Sequence, residues 1–214
     1  MYTALFYLYL AVILISFFAG VKNVKLASAD KYIVALLLTV FFSECLAEFF
    51  RNTYKNNMPV YHFLNPLQLL LISLYFNHSV PMLNKKQIGW IVGLIGVVFN
   101  MLCALYIQNL LSFPSVFLLF ESFCIIGLCM LSYFSIFTRE DFEPTKHVSF
   151  WITTTLLTFW SFTFIIWGMI SIFLTNAQEY MSWLYLLLYV INFVYYGSIG
   201  MIFLKYKKLV PSGE

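Results

Sequence analysis

Three acidic residues, Glu44, Glu48 and Glu121, lie inside apolar runs that are long enough to span a membrane. An ionisable side chain at that depth is energetically expensive and usually marks a functional site. Glu44 and Glu48 are four residues apart, so on a helix their carboxylates share a face and can converge on a cation, a ligand amine or a shared proton. Glu48 also precedes Arg51 by three residues, and an interfacial ion pair explains its position equally well.

The composition places these carboxylates in a membrane protein. Of the 214 residues, 62% are hydrophobic and only 10% are charged, and the mean hydropathy is +0.87. These values lie outside the range of soluble domains. Helices of about 20 residues fill this length, so we predict a single transmembrane domain over residues 1–214 with no soluble catalytic or output domain. There is no phosphate loop, no serine-hydrolase motif and no basic patch suited to nucleic acid.

The apolar runs, separated by clusters of polar and turn residues, predict an all-α polytopic transmembrane bundle of seven helices. The predicted helices cover residues 2–20, 31–50, 60–76, 88–107, 113–137, 148–174 and 180–204. The third run is short and contains Asn65, Pro66 and Gln68, and Pro66 is expected to kink it. A six-helix protein with a re-entrant third segment is therefore the structural alternative.

The basic residues predict how the bundle is oriented. Ten of the twelve Lys and Arg residues fall on the same side if the N-terminus is outside. Because cytoplasmic loops retain basic residues, we predict N-out, C-in topology in the cell (inner) membrane. This topology places most polar residues of the spans in the outer half, with two asparagines nearer the middle. The candidate pocket residues are Glu44, Glu48, His62, Asn65, Gln68, Asn100, Glu121 and Asn192.

Cysteine and histidine positions argue against several other chemistries. All four cysteines lie within predicted spans, which indicates buried thiols and no disulfide framework. The three histidines lie on different segments, with no two at helical metal-ligand spacing, which argues against a bis-histidine haem site and a histidine-rich zinc site. We therefore predict no cofactor and no metal. A carboxylate-dominated metal site remains an alternative, with ligands Glu44, Glu48, Glu121 and His62.

Small and aromatic residues have structural interpretations. Gly89, Gly93 and Gly96 form a small-residue stripe, which predicts close packing of the fourth helix against a neighbour. Most tyrosines and tryptophans fall near span ends, as in the aromatic belt of membrane proteins. The residues assigned to this belt are Tyr2, Tyr7, Tyr9, Tyr61, Trp90, Trp151, Tyr180, Trp183 and Tyr206.

Short motifs resemble those of a bacterial family of small seven-helix membrane proteins with no assigned function. They are Glu44 or Glu48 late in the second helix, Asn57 followed by Tyr61-His62, Glu121 early in the fifth helix, and Phe150-Trp151 opening the sixth. The resemblance covers the first to the sixth helix and implies the fold without a mechanism.

Topology alone also resembles two other groups, the microbial rhodopsins and the SWEET-type sugar transporters. The seventh helix has Asn192 and no lysine before Lys205, so the retinal-bearing lysine of rhodopsins is missing. The Pro-Gln signatures of the SWEET-type proteins are missing too.

These features lead us to expect a receptor-like or sensor-like module. A polar pocket in the outer half, lined by Glu44 and Glu121, would bind a small molecule from the outer face. A separate cytoplasmic or membrane protein partner would carry the signal, and the segment from Lys205 to Lys208 would meet that partner or anionic lipid. A small-molecule or ion transporter or channel is one alternative. An intramembrane lipid hydrolase that uses paired carboxylates is another, but no catalytic residue is assigned.

Overall fold

A computed structural model describes residues 2–24, 28–138, 143–176 and 181–212, with side chains over 4–24, 28–138, 143–170 and 183–212. These residues form helices and no named strand. The helices are α1 (Tyr2–Asn23), α2 (Lys31–Tyr54), α3 (Met58–Ser79), the short α4 (Pro81–Lys85), α5 (Ile88–Leu102), α6 (Ser115–Phe137), α7 (Val148–Asn176) and α8 (Met181–Lys205). A π-helical turn, Cys103–Ile107, extends α5.

Six of the helices in the described part are long and apolar enough to cross a membrane: α1, α2, α5 with its π-helical turn, α6, α7 and α8. The predicted multi-pass membrane architecture is confirmed to that extent. The third predicted helix, α3, has 22 residues but is too polar to be counted with them. It is one continuous helix around Pro66, without the chain reversal that a re-entrant segment requires.

Several helices continue beyond their predicted ends. α2 ends at Tyr54 rather than at residue 50, because Arg51 and Asn52 continue the helix as exposed residues. Hydropathy marks where a helix leaves the hydrocarbon, whereas the backbone hydrogen bonds continue into the hydrated interface. The predicted start of the last helix, at Tyr180, lies outside the described residues.

The long helices pack as a closed ring in the order α1, α2, α3, α6, α7 and α8, with α8 returning to α1. α5 packs against α3 and also touches α6, so α3 has neighbours on three sides. One main hydrophobic core runs through the ring and includes the fully buried residues Ile33, Leu37, Leu69, Ile72, Phe117, Ile152 and Phe203. α3 is therefore the most enclosed helix, which explains how it accommodates its polar residues.

The glycine stripe on α5 permits the close approach of α3. Gly89, Gly93 and Gly96 are all buried, and a Cβ atom at Gly89 would overlap the carbonyl oxygen of Ser73. The Gly89 amide donates a hydrogen bond of 3.1 Å to Oδ1 of Asn77. The predicted close packing is confirmed.

The helix pair α1 and α8 is fastened in a similar way. Ser16 Oγ donates a hydrogen bond of 2.8 Å to the backbone carbonyl of Tyr196. Gly200, one turn further along α8, leaves room for Ser16, because a Cβ atom there would overlap the serine hydroxyl. A small residue on one helix and a buried hydroxyl on the other thus join the two helices.

The aromatic-belt interpretation is wrong for three tyrosines. Tyr9 and Tyr206 are only 5% and 3% exposed, and Tyr61 is half-buried, so these side chains face the protein interior. Proximity to a span end indicates depth, but it does not show which side of the helix a residue occupies. Tyr7, Trp90, Trp151 and Trp183 are exposed as a belt requires. Tyr180 and the side chain of Tyr2 lie outside the described part.

The bundle has two differently built ends. At one, which we call the tail end, residues 206–212 fold back against residues 28–30 and 146–148. The Val148 amide donates to the Val210 carbonyl over 2.9 Å, and the Val210 amide donates to the Lys146 carbonyl over 2.8 Å. At the other, the Asn56 end, the side chain of Asn56 donates to the carbonyl of Leu111 over 3.0 Å.

Candidate functional site

Glu44 lies in a group of four tyrosines, contributed by three neighbouring helices. The Tyr9 hydroxyl of α1 donates a hydrogen bond of 3.4 Å to Oε1 of Glu44. The Tyr61 hydroxyl of α3 lies close to this carboxylate as well. Tyr189 and Tyr196 of α8 lie within electrostatic range of it. We call this group the Glu44–tyrosine cluster.

Packing between the rings holds the cluster in place. The Tyr9 ring meets Tyr189 at 6.2 Å between centroids with an interplanar angle of 74°, and it meets Tyr196 at 5.8 Å. Edge-to-face contacts of this kind are favourable for aromatic pairs. Tyr189 and Tyr196 are seven residues apart, so α8 presents both on one face. The cluster therefore joins α1, α2, α3 and α8 around one carboxylate.

The electrostatics of the cluster favour a positively charged ligand. Glu44 is half-buried and, among the described residues, has no ion-pair partner. A carboxylate in a medium of low dielectric attracts a cation more strongly than the same group in water. Tyrosine hydroxyls can accept hydrogen bonds from an ammonium group, and tyrosine rings attract cations through their faces. The cluster thus has the chemistry of an organic-cation site.

Glu48 has an ordinary structural role. Its Oε2 forms an ion pair with Arg51. Its Oε1 accepts a hydrogen bond of 3.1 Å from Asn52 Nδ2. Both partners lie within one turn on the same helix. Glu48 and Glu44 therefore do not act as an equivalent pair, because one carboxylate is already neutralised by a cation.

Glu121 on α6 is completely buried, and within the described part neither of its carboxylate oxygens has a hydrogen-bond partner. A buried carboxyl group without a partner is costly in such a place, whether it is ionised or not. Tyr196 is within electrostatic range of both Glu121 and Glu44. That Glu44 and Glu121 line one pocket stays a prediction.

His62 and Asn100 form a structural connection between helices. Pro66 has no amide hydrogen for the carbonyl of His62, which lies four residues earlier in α3. Asn100 Nδ2 on α5 donates to that carbonyl over 2.7 Å and satisfies it. His62 Nε2 donates a hydrogen bond of 3.0 Å to the carbonyl of Ser112 at the Asn56 end. Asn100 is therefore at the level of His62 rather than nearer the middle of the bundle.

The remaining candidates have no hydrogen bond to Glu44 within the described residues. Asn65 and Gln68 are half-buried and form no side-chain hydrogen bond within the described part of the chain. Asn192 Nδ2 donates a hydrogen bond of 2.8 Å to the carbonyl of Leu188 on its own helix. This local bond satisfies the amide without a ligand.

The four ligands proposed for a carboxylate-dominated metal site do not come together in the described structure. Over the described residues, which include all four proposed ligands, no three His, Cys, Asp or Glu side chains come close enough to hold one metal ion. Glu48 is paired with Arg51, and His62 is turned toward the loop at Ser112. Two of the four side chains are thus committed to other partners.

A second buried polar group lies at the tail end and was not predicted. The carboxylate of Asp30, which is fully buried, accepts hydrogen bonds at Oδ2 from the Tyr206 hydroxyl (2.8 Å) and the Ser212 amide (3.0 Å). Burial raises the pKa of this carboxyl, although these hydrogen bonds oppose the shift. We call Asp30, Tyr206 and Ser212 the tail lock.

Sequence reasoning missed the four tyrosines and Asp30. The seven-residue spacing of Tyr189 and Tyr196 was a usable signal, because it places both on one helical face. Asp30 offered no comparable signal, since it adjoins Lys31 in a connection, and Tyr206 and Ser212 are more than 170 residues away.

No family model matches this chain, and no curated protein or solved structure matches it either. The resemblance to bacterial seven-helix proteins therefore stays a prediction. Function is inferred from the chemistry of the site, because a helical bundle supports many functions.

Proposed function

We propose that this chain is a receptor-like membrane module that binds a small organic cation at the Glu44–tyrosine cluster and signals through a separate partner protein. The observation that carries this proposal is a half-buried carboxylate that accepts a hydrogen bond from a tyrosine and has no ion-pair partner among the described residues. Tyr9 and Tyr61 together with Glu44 can bind an ammonium group from more than one side.

The proposed orientation is N-out and C-in in the cell (inner) membrane, with α3 as the seventh span. Lysines at the tail end, among them Lys85, Lys86 and Lys205, support a cytoplasmic assignment for that end. The Glu44–tyrosine cluster then lies in the outer half, because Tyr9 and Tyr61 are near the ends of their helices that adjoin the Asn56 end. A ligand would reach it from the outer face.

The tail lock supports a binding module over a transporter. Transport requires polar access from both faces, whereas residues 206–212 pack against residues 28–30 and 146–148 at the tail end and help to bury Asp30. A receptor needs access from one side only. The exposed lysines of the tail end then provide a surface for a cytoplasmic or membrane partner.

Thermal unfolding of the purified protein in lipid nanodiscs tests the proposal. The probes are benzylamine, choline and spermidine, with benzyl alcohol and benzoate as neutral and anionic comparisons. We expect at least one of the cations to raise the unfolding temperature in a saturable way, because ligand binding to the folded state stabilises it. The two comparison compounds should have no such effect.

Glu44→Gln should abolish the stabilisation, because it removes the charge and keeps the shape. Glu48→Gln is the matched control, since it removes a carboxylate one turn away that is already paired with Arg51. Equal stabilisation of Glu44→Gln and the unmodified protein by the cation would contradict the proposal, as would the absence of any cation effect.

A further inference from the structure

A long groove lies between α7 and α8 on the side of the bundle and extends to the tail end. Its volume is about 630 Å³, which is within the range of about 300–1,000 Å³ that is typical of ligand sites. Phe162 on one wall and Val194 on the other are 57% and 60% exposed. Both helices are apolar enough to span a membrane, so the groove opens toward lipid.

The surface of the groove is mainly apolar, although the α7 wall contains three threonines. Thr154, Thr155 and Thr158 each donate their hydroxyl hydrogen to a carbonyl one turn earlier in α7, over 2.7, 2.9 and 2.9 Å. With these hydrogens used within the helix, the threonines offer mainly methyl groups to an occupant. Such walls suit a hydrocarbon chain better than a polar solute.

The tail-end mouth of the groove is different, because it carries a positive charge. Lys205 lines the groove there and, within the described part of the chain, has no acidic partner. Trp151 and Thr145 line the groove across from Lys205. Trp151 Nε1 donates a hydrogen bond of 2.9 Å to the carbonyl of Thr145. Lysine and tryptophan at such a position are typical of the level of lipid headgroups.

The dimensions also fit one lipid chain. Along α8 the groove runs from Lys205 to Val190, about 22 Å at 1.5 Å per residue. One leaflet of the hydrocarbon core is about 15 Å thick. A chain with its polar group at Lys205 would therefore lie in the groove over the full depth of its leaflet.

We infer that this groove binds one anionic glycerophospholipid, with an acyl chain between α7 and α8 and the phosphate at Lys205. The apolar walls select an acyl chain, and the lysine at the mouth selects a negatively charged headgroup. The site is separate from the Glu44–tyrosine cluster, so the two can be tested independently.

Native mass spectrometry of the detergent-purified protein tests this inference. The protein is titrated with palmitoyl-oleoyl phosphatidylglycerol or with phosphatidylcholine that has the same acyl chains. We expect a single-lipid adduct that forms with about fivefold higher affinity for phosphatidylglycerol, the preference that one lysine near a lipid surface provides. Lys205→Gln should bring the two affinities together.

Two further variants keep the result interpretable. Lys207→Gln removes the same charge from an exposed position outside the groove and should leave the preference unchanged. Val194→Trp fills the groove from its exposed wall and should remove the single adduct of both lipids. Equal affinity for the two lipids, or equal effects of Lys205→Gln and Lys207→Gln, would overturn the inference. So would a dimer that Val194→Trp dissociates, because a second copy would then occupy the groove.

Discussion

Glu44 and Glu121 differ in their surroundings far more than in their sequence contexts. Glu44 is half-buried beside tyrosine hydroxyls, whereas Glu121 is fully enclosed and has no partner within the described residues. A partly accessible carboxylate can exchange its partners for a ligand. An enclosed carboxyl costs stability, because its polar atoms were hydrogen-bonded to water before folding.

Replacing Glu121 by an apolar residue should therefore stabilise the protein. We expect Glu121→Met to increase the free energy of unfolding by about 1–3 kcal/mol, because it removes an unsatisfied polar group and keeps most of the volume. Thermal or denaturant unfolding in detergent measures this change. Ser122→Ala is the control. The Ser122 hydroxyl is as buried as Glu121, but it donates a hydrogen bond of 2.7 Å to the Leu118 carbonyl. A loss of stability in Glu121→Met would show that Glu121 has a structural partner.

The acidic candidates could be identified from the sequence because charged residues inside apolar runs are conspicuous. Their neighbours could not, because Tyr9 and Tyr61 lie near span ends where tyrosine is common in any membrane protein. A position near an interface is compatible with either face of a helix. Only the packing of α1 against α2 and α8 determines that Tyr9 points to Glu44 rather than to lipid.

At the scale of the elements, a side chain from α5 replaces a backbone hydrogen bond that α3 lacks. Pro66 leaves the carbonyl of His62 without its usual amide donor, and Asn100 supplies the replacement over 2.7 Å. A buried carbonyl without a donor is costly, so proline and asparagine compensate for each other. The same pair also fixes how far α5 can slide along α3.

This compensation predicts a non-additive pair of substitutions. Asn100→Leu should lower the free energy of unfolding by about 1–3 kcal/mol, because the His62 carbonyl loses its donor. In a Pro66→Ala background the cost should be clearly smaller, since an alanine at that position restores the backbone amide. Unfolding measurements on the two single variants and the double variant give the coupling energy. Additive effects would mean that the Asn100 bond does not replace the missing backbone bond.

Helix positions were largely predictable, because long apolar runs between polar clusters leave few alternatives. The position of α3 is also predicted to within three residues, but the sequence leaves open whether it spans the membrane. Its polar residues lower its hydropathy, while its neighbours α2, α5 and α6 enclose it. Hydropathy reports how a helix would behave alone in lipid. It does not register that Asn100 satisfies a carbonyl and that His62 bonds to Ser112.

At the scale of the whole molecule, the tail lock joins parts of the chain that are distant in sequence. Asp30 Oδ2 accepts hydrogen bonds from Tyr206 and from the Ser212 amide, and the Tyr75 hydroxyl lies 3.3 Å from Ser212 Oγ. The connection before α2, the end of α3 and the segment after α8 thus form one buried polar contact. Burial raises the pKa of Asp30 because it disfavours the charged form.

The raised pKa predicts how stability depends on pH. The folded state favours the protonated acid, so this contribution is complete below the ordinary aspartate pKa of 3.8 and is lost as the pH rises through the higher folded pKa. Asp30→Asn keeps an acceptor for Tyr206 and Ser212 but cannot ionise. Its unfolding temperature should therefore exceed that of the unmodified protein by a margin that grows as the pH rises above about 4.

Thermal unfolding in detergent between about pH 4 and pH 8 measures this margin. Glu143→Gln is the control, because Glu143 is an exposed acid at the same end whose ion pair with Lys146 is weakened by water and salt. Its effect should be small and nearly independent of pH. A margin for Asp30→Asn that is constant, or that shrinks as the pH rises, would contradict the assignment.

The contacts of the tail lock could not be predicted from the sequence. An aspartate beside Lys31 in a short connection is typical of a solvent-exposed turn, and the basic segment after α8 is typical of a surface tail. Asp30 and Ser212 are nevertheless buried, because they contact each other across 182 positions of sequence. Local patterns carry no information about such a contact.

The bond between Ser16 and Tyr196, which fastens α1 to α8, has a consequence for how the protein is made. The two residues are 180 positions apart, and at about 5–20 residues per second a ribosome needs roughly 10–40 s to synthesise the intervening chain. During that interval α1 is in the membrane without the helix that covers its serine. Until then the Ser16 hydroxyl can donate only to a carbonyl of its own helix, so it must exchange that partner for Tyr196 when α8 arrives and the ring closes.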